Sequence, residues 1–126
     1  MKSNYKLAIA LFAGVAIGAV AIQGLHAQAK PKAYQVTESE VLDPAAFAVY
    51  GPTLQAAQAA AGGRSFRTTG KIIANEGTAP KRVSISEWDN LEQALAWEKS
   101  EARNNLEPQR AKAIKITRQY IVESAN

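Results

Sequence analysis

The chain has 126 residues, with 15 basic and 11 acidic side chains, one histidine and no cysteine. Without cysteine it can form neither a disulfide nor a thiolate nucleophile. Its basic residues are scattered singly or in pairs and nearly balanced by acidic ones, which excludes the basic stripe of a nucleic-acid-binding surface. We therefore expect no nucleic acid among its partners.

The first 29 residues have the layout of a secretory signal. Lys2 and Lys6 precede an uncharged apolar run over residues 7–22, and a small-residue segment ends in Ala27-Gln28-Ala29. This pattern predicts a signal peptide over residues 1–29, cleaved after Ala29, and a periplasmic or secreted product with no membrane partner. The apolar run is shorter than the roughly 20 residues of a membrane-spanning helix. An uncleaved N-terminal anchor is the alternative.

Cleavage there leaves residues 30–126, enough for one domain with one hydrophobic core. It also removes His26, the sole histidine, together with the two early lysines, so 13 basic residues remain against 11 acidic ones. A domain with neither imidazole nor thiol cannot form a Ser-His-Asp or Cys-His nucleophile, an ordinary structural zinc site or a His-ligated haem site. We expect no cofactor.

The first half of this domain predicts a strand followed by a helix. Residues 33–42 alternate apolar and polar side chains, which is typical of a half-buried strand. Asp43-Pro44 then gives a strong helix start, because Pro lacks only an N–H that would have no partner at the first helical position. The helix is predicted over residues 44–61, with a kink or a split at Gly51-Pro52. Gly62-Gly63 is predicted to end it.

The second half predicts two strands, a helical region and a final strand. Strands are expected over residues 64–74, with a break at Gly70, and over residues 81–88, joined by a turn over 75–80. Asp89 or Asn90 is predicted to cap a helix, with Gln93 in a capping-box position. The inner set of that helix is predicted to be Leu91, Ala94, Leu95 and Ala102. Pro108 starts a further helical turn to residue 113, and residues 114–123 form the last strand.

This order of elements, β-α-β-β-α-β, predicts an α+β, ferredoxin-like fold. Both helices lie on one face of a four-stranded antiparallel sheet in that fold. We expect the first and third strands to be adjacent and parallel at the centre of the sheet, with the fourth strand antiparallel beside the first.

Strand alternation also predicts a charged cluster. The first and third strands each alternate apolar residues with a glutamate, Glu38 and Glu87, and the apolar residues are expected to face the helices. Under the predicted topology Glu38, Glu87 and Arg118 then converge at one end of the space between helices and sheet, with Tyr50 above them. One interpretation is a structural ion-pair cluster. The other is a ligand or acid–base site, because two carboxylates beside one guanidinium leave an uncompensated charge.

The other face of the sheet is predicted to pair with a second copy of the chain, because helices cover only one side. The residues expected on that face are Thr37, Val41, Ser84, Trp88, Thr117 and Ile121. Other side chains have two readings. Tyr50 and Trp97 can be core residues or walls of a ligand site, and Arg82 and Arg110 can be solvated, ion-paired or anion-binding.

Several short motifs follow one another along the chain. They are Asp43-Pro44 after the first strand, Gly62-Gly63-Arg64 at the second and Pro80-Lys81-Arg82-Val83 at the third. Tyr50, Glu76-Gly77, Trp97, Ser100 and Arg110 complete the pattern. In these features the chain resembles the proteins that carry domain of unknown function 1330 (DUF1330), within the dimeric α/β-barrel superfamily. It departs from them at Ala102-Arg103, where a tyrosine is usual, and at Trp88, where phenylalanine is common.

The resemblance implies a fold and a homodimer, but no particular activity. Relatives in the wider superfamily include small monooxygenases, haem-degrading enzymes and isomerases. We therefore expect a homodimeric, small-ligand-binding module. The alternative is a cofactor-independent enzyme, monooxygenase-like or isomerase-like, acting on a small organic substrate in the barrel pocket. The lack of histidine, the commonest acid–base side chain, favours the binding module.

Overall fold

The computed structural model describes residues 29–125. The predicted signal peptide lies outside the described residues apart from Ala29, so its existence and cleavage stay predictions. From Pro31 onward the chain forms one unit. Its elements are β1 (Ala33–Val41), α1 (Pro44–Ala60), β2 (Arg64–Ser65), β3 (Arg82–Trp88), α2 (Leu91–Glu98), α3 (Glu101–Asn104), α4 (Glu107–Ala113) and β4 (Ile114–Glu123). No helix within residues 29–125 has the length and apolar character needed to cross a bilayer.

The four strands form one antiparallel sheet in the order β2-β3-β1-β4. This confirms the predicted α+β class and the positions of β1 and β3 at the centre. The predicted parallel pairing of β1 with β3 is wrong, because the two strands run antiparallel. The physical reason lies in the connections. A right-handed crossover through α1 makes β1 parallel to β2, and the return from β2 to β3 reverses the chain direction.

Helix α1 begins as predicted and is not split. The Asp43 carboxylate accepts hydrogen bonds from the backbone N–H groups of Ala45 and Ala46 at 2.9 and 3.2 Å. Pro52 lies inside the helix, where it leaves the Ala48 carbonyl without its usual donor. Ala48 is exposed, so water can bond that carbonyl and the helix continues.

The end of α1 is a glycine-dependent Schellman cap. Gly62 has a positive φ of 97° and its N–H donates to the Ala59 carbonyl at 3.1 Å, while the Gly63 N–H donates to the Gln58 carbonyl at 2.8 Å. A left-handed residue is unfavourable for a side chain with a Cβ, which accounts for Gly62. Gly63 serves a different purpose, because its Cα faces the buried ring of Trp88.

The predicted second strand is wrong in extent. Only Arg64–Ser65 pair with β3, and residues 66–81 are irregular. The N–H of Phe66 still donates to the Ile85 carbonyl at 2.9 Å. Beyond it, Gly70 and Gly77 adopt left-handed φ values of 79° and 72°, which turn the chain away from the extended path that sheet pairing requires.

The helical region after β3 is broken into three pieces. Asn90 caps α2 by accepting from the Gln93 N–H at 2.8 Å, and the Gln93 side chain accepts from the Asp89 N–H at 3.1 Å, so the predicted capping arrangement is confirmed. The predicted inner positions are partly wrong. Leu95 is 43% exposed and Ala102 lies exposed in α3, whereas Trp97 is buried. The Ser100 hydroxyl accepts a hydrogen bond from the Arg103 N–H and so caps the start of α3. Because α2 has already ended there, its helical spacing does not continue to Ala102.

The faces of the sheet are the reverse of the prediction. Trp88 is fully buried and stacks on Trp97 of α2 with ring centroids 6.0 Å apart, so Trp88 faces the helices. The residues in register with it face the same way, and the apolar residues Tyr34, Val36 and Ile85 face outward. A period of two separates the faces of a strand, but it does not say which face the helices cover. Here the face that carries the large Trp88 side chain packs against the helices, and Trp88 lies in the core.

Candidate functional site

A cavity of about 790 Å³ lies between the helices and the sheet. Most side chains on its sheet side are polar, among them Gln35, Thr37, Ser84, Ser86 and Gln119, and Ile114 and Ile116 of β4 add apolar surface. Its helix side is largely aromatic and aliphatic, with Phe47, Tyr50, Leu54 and Trp97. A concave site in which converging polar groups face apolar walls can bind a small organic molecule.

The polar residues on the sheet side of the cavity are held in place by neighbours. Gln35 is buried on β1, and its amide donates to the Glu98 carboxylate at the end of α2. The Gln119 amide donates to the Thr37 hydroxyl at 2.8 Å. These contacts fix the orientation of two amides beneath the cavity.

Tyr50, on the inward face of α1, is the buried phenol of this cavity. Only 4% of the residue is exposed, and its hydroxyl makes no hydrogen bond within residues 29–125. Burial raises the pKa of Tyr50, although the positive charges of Arg110, Arg103 and Arg82 act in the opposite direction. The phenol is therefore neutral near pH 7 and available as a hydrogen-bond donor.

Two of those three arginines have carboxylate partners. Arg103 pairs with Glu98 at 3.3 Å, and Arg110 Nε donates to Glu107 Oε2 at 2.9 Å. The hydrogen bond from Arg110 lowers the pKa of Glu107, which keeps this carboxylate ionised. Both pairs therefore contribute no net charge to the surroundings of Tyr50.

Arg82, at the start of β3, is the exception. Its guanidinium lies over the Phe47 ring, 4.6 Å from the centroid, and Nη1 donates to the Ser39 hydroxyl at 3.4 Å. Within the described residues it forms no salt bridge. Burial lowers the pKa of Arg82, but an arginine remains cationic under all ordinary conditions. A half-buried positive charge without a counter-ion therefore lines the cavity.

The predicted cluster of four residues does not form. Glu38 and Arg118 do pair across β1 and β4 through Arg118 Nε and Glu38 Oε2. They lie on the outer face, however, because Glu38 alternates with buried Ser39 on β1. Tyr50 lies on the opposite side of the sheet, in the cavity.

Glu87 lies at the other end of the sheet from Glu38. The antiparallel register places Glu87 opposite Tyr34 and Glu38 opposite Val83, about 13 Å apart along the strands. Glu87 instead accepts from Arg64 at 2.7 Å and from Lys32 at 3.0 Å, and these hydrogen bonds lower its pKa. Glu87 was predicted at the wrong end of the sheet because β1 and β3 were assumed to be parallel. Glu38 and Glu87 each form ion pairs, but with different partners.

Several cavity residues escaped sequence reasoning. Gln35 and Gln119 look like ordinary outward polar positions of alternating strands, and the Arg103–Glu98 pair depends on the break between α2 and α3. A helix end cannot be located to one residue from the sequence, and one residue changes the direction of a side chain by about 100°. The sequence did contain a signal for the polar sheet side of the cavity, because every second residue along most of β1 and β3 is polar and these residues share one face.

Residues 29–125 hold no group of three or more histidine, cysteine, aspartate or glutamate side chains suited to a metal ion. The polar groups of the cavity are hydroxyls, amides, guanidiniums and the carboxylates of Glu98 and Glu107, which are paired with arginines. These groups suit hydrogen bonding to an organic molecule.

The fold and the cavity define a small α+β domain in which helices cover one face of a four-stranded antiparallel sheet. Residues 32–125 match the family described as domain of unknown function (DUF1330), and the chain belongs to this family. No curated protein sequence is significantly similar to it.

The solved structures that are similar in fold include the following two. One is a protein of unknown function from Rhodopseudomonas palustris, with a TM-score of 0.61 and 12% identity over 84% of this chain and 92% of that chain. The other is the methylated form of the same protein, with a TM-score of 0.61 and 12% identity over 84% and 90% of the two chains. At this level of identity the likeness concerns the fold.

Proposed function

We propose that this chain is an exported, homodimeric protein that binds a small organic molecule in the cavity between its helices and its sheet. The observation that carries the proposal is the cavity itself. Its volume of about 790 Å³ falls within the range of small-molecule sites. It also contains the hydroxyl of Tyr50, which has no hydrogen-bond partner among the described residues and whose oxygen keeps accessible surface. Such a group is available to a ligand or to water.

The alternative is a cofactor-independent enzyme acting in the same cavity. General acid–base catalysis works best with a group whose pKa lies near the working pH. Here the pKa of Glu107 is lowered by Arg110, and the pKa of Tyr50 is raised by burial, so both move away from neutrality. This favours binding over catalysis.

Blocking the cavity tests the binding function. Ser84 is half-buried on β3 and lines the cavity, so Ser84→Leu should fill part of it. Native mass spectrometry of the purified protein should show a bound small molecule, and Ser84→Leu should lose it. Thr78→Leu, at an exposed position that does not line the cavity, is the matched control and should keep it. If the parent protein carries no molecule and none from a metabolite panel raises its Tm, the binding function is wrong.

The homodimer is supported by the outer face of the sheet. This face carries Tyr34, Val36, Val83, Ile85, Tyr120 and Val122. In the single chain, 42% of Tyr120 and 49% of Val122 are exposed, and Phe66, which stacks on Tyr34 at 6.1 Å, is 48% exposed. Exposed apolar side chains grouped in this way support an interface, and Glu38 and Arg118 on the same face are already paired with each other. Pairing two such faces about a two-fold axis would cover both.

Export is supported by the basic start, the apolar run and the Ala27-Gln28-Ala29 site. The protein recovered from the periplasm or the medium should have an intact mass that begins at Lys30. Recovery of full-length chain alone, and in membranes alone, would instead support the N-terminal anchor.

A further inference from the structure

The positive charges near Tyr50 outnumber the negative ones, and this excess indicates the class of ligand that the cavity can bind. The three guanidiniums that act electrostatically on Tyr50 are those of Arg82, Arg103 and Arg110. Glu98 and Glu107 neutralise the last two. One positive charge, that of Arg82, is left over.

The unsatisfied hydrogen-bonding groups at this place can all donate: the Arg82 guanidinium only donates, and the neutral Tyr50 hydroxyl can donate as well as accept. The Tyr50 hydroxyl has no acceptor among residues 29–125, and of the Arg82 N–H groups one reaches Ser39 at the long distance of 3.4 Å. Arginine presents five N–H donors in a planar fork that matches two oxygen acceptors side by side. A ligand complementary to this corner is therefore negatively charged and rich in acceptors.

The remaining walls limit the size of the charge. Arg67 also lines the cavity without a salt bridge among the described residues, but it is exposed and therefore screened by solvent. The half-buried Arg82 guanidinium balances one negative charge, and beside it the walls are the aromatic or aliphatic side chains of Phe47, Leu54 and Ile116. A phosphate dianion would keep an unbalanced charge near these apolar walls, which is costly. A carboxylate on an apolar body fits both the charge and the walls.

We propose that the cavity binds a monocarboxylic acid, whose carboxylate accepts hydrogen bonds from the Arg82 guanidinium and the Tyr50 hydroxyl. This assignment rests on the proposed binding function, and it names the ligand class and the residues that select it. The neutral Tyr50 phenol donates, Arg82 supplies the charge, and Phe47 holds the guanidinium plane in position. The apolar body of the acid lies along Leu54 and Ile116.

Matched acids and amides provide the test. Ligand-observed NMR titrations would use benzoate, hexanoate and their primary amides, with benzylamine and inorganic phosphate as further probes. The carboxylates should bind at least about tenfold more tightly than their amides, since a hydrogen bond to a charged group is the stronger kind. Equal binding of acid and amide, or tighter binding of benzylamine or phosphate, would overturn the carboxylate assignment while leaving a binding cavity in place.

Variants at the two residues give a second readout. Arg82→Gln should weaken carboxylate binding about 100-fold, and Arg82→Lys should weaken it less because the charge remains. Tyr50→Phe should weaken it about tenfold, while the Tm of the ligand-free protein stays unchanged, because the removed hydroxyl makes no hydrogen bond within residues 29–125. Lys71→Gln, at an exposed cation that does not line the cavity, should leave binding unchanged.

The failures of the two proposals are distinguishable. If Arg82→Gln and Tyr50→Phe are folded and bind the carboxylates as tightly as Lys71→Gln does, the carboxylate site is elsewhere and the assignment is wrong. If neither a carboxylate nor any neutral or cationic probe binds, and Ser84→Leu behaves like the parent chain throughout, both the assignment and the binding function fail.

Discussion

Gly63→Ala is expected to lower the free energy of unfolding by about 3 kcal/mol, at the upper end of the usual cost of overpacking a core. A Cβ at this position would lie 2.7 Å from Cη2 and 2.8 Å from Cζ2 of Trp88. Trp88 has no exposed surface, and its ring stacks on Trp97, so it cannot move aside without disturbing the core. Chemical denaturation monitored by tryptophan fluorescence would measure the loss.

Gly51→Ala is the matched control. Its Cβ would meet the Phe47 ring at 3.8 Å, which is ordinary contact. The gain in helix propensity is opposed by the restriction that Pro52 places on the residue before it, so the change in stability should be within about 0.5 kcal/mol. Equal stabilities of the Gly63→Ala and Gly51→Ala variants would show that the core accepts the extra methyl group.

A double-mutant cycle identifies the contact responsible. Trp88→Phe removes the ring atoms Cζ2 and Cη2 that the new methyl group would meet. It is destabilising alone, because it leaves a void in the core. Combined with Gly63→Ala, however, the loss should be smaller than the sum of the two single losses, by about 1 kcal/mol or more. Strict additivity would mean that the alanine acts through the backbone and not through Trp88.

Val36→Lys is expected to convert the proposed homodimer into a monomer at micromolar concentration. Val36 lies on the central strand β1, opposite Ile85 on one side and Tyr120 on the other, and it faces away from the helices. A two-fold axis brings the substitution into the interface twice. Burying unpaired ammonium groups costs several kcal/mol, so the dimer Kd should rise at least about 100-fold.

Val49→Lys makes the same chemical change on the exposed surface of α1, where the valine is 65% exposed. It should leave the dimer intact, and both variants should keep the circular dichroism spectrum of the parent chain. Sedimentation equilibrium over a dilution series would give the masses. A monomeric parent chain at tens of micromolar, or a dimer unaffected by Val36→Lys, would contradict dimerisation through this face.

Local sequence signals located most of the elements. Asp43-Pro44 fixed the start of α1, because an Asp cap and a first-turn proline act within one helical turn. Gly62-Gly63 fixed its end through left-handed geometry at Gly62. The last strand was predicted at residues 114–123, its observed bounds. Each of these signals acts between neighbours in the chain, so no knowledge of the fold was needed.

The candidate site could be predicted less well. Tyr50 was predicted to point from the helix into the space above the sheet, and the structure places it in the cavity. The cross-strand pair of Glu38 with Arg118 followed from the antiparallel fourth strand. Glu87 was misplaced by one error of strand direction. That error moved a side chain by half the length of the sheet without altering any local pattern.

The sequence by itself determined the family, the α+β class and the separation of each strand into two faces, since these depend on local propensity and on alternation along the chain. Tertiary structure decided which face the helices cover and therefore where the cavity lies. Both faces of the sheet are apolar enough to be buried. One carries Trp88, and the other carries Tyr34, Val36 and Ile85. Which face is buried depends on how the Trp88 ring of β3 fits against Gly63 and against Trp97 of α2. These three residues belong to different parts of the fold. Such a fit is a property of packed volumes, which hydrophobic periodicity does not encode.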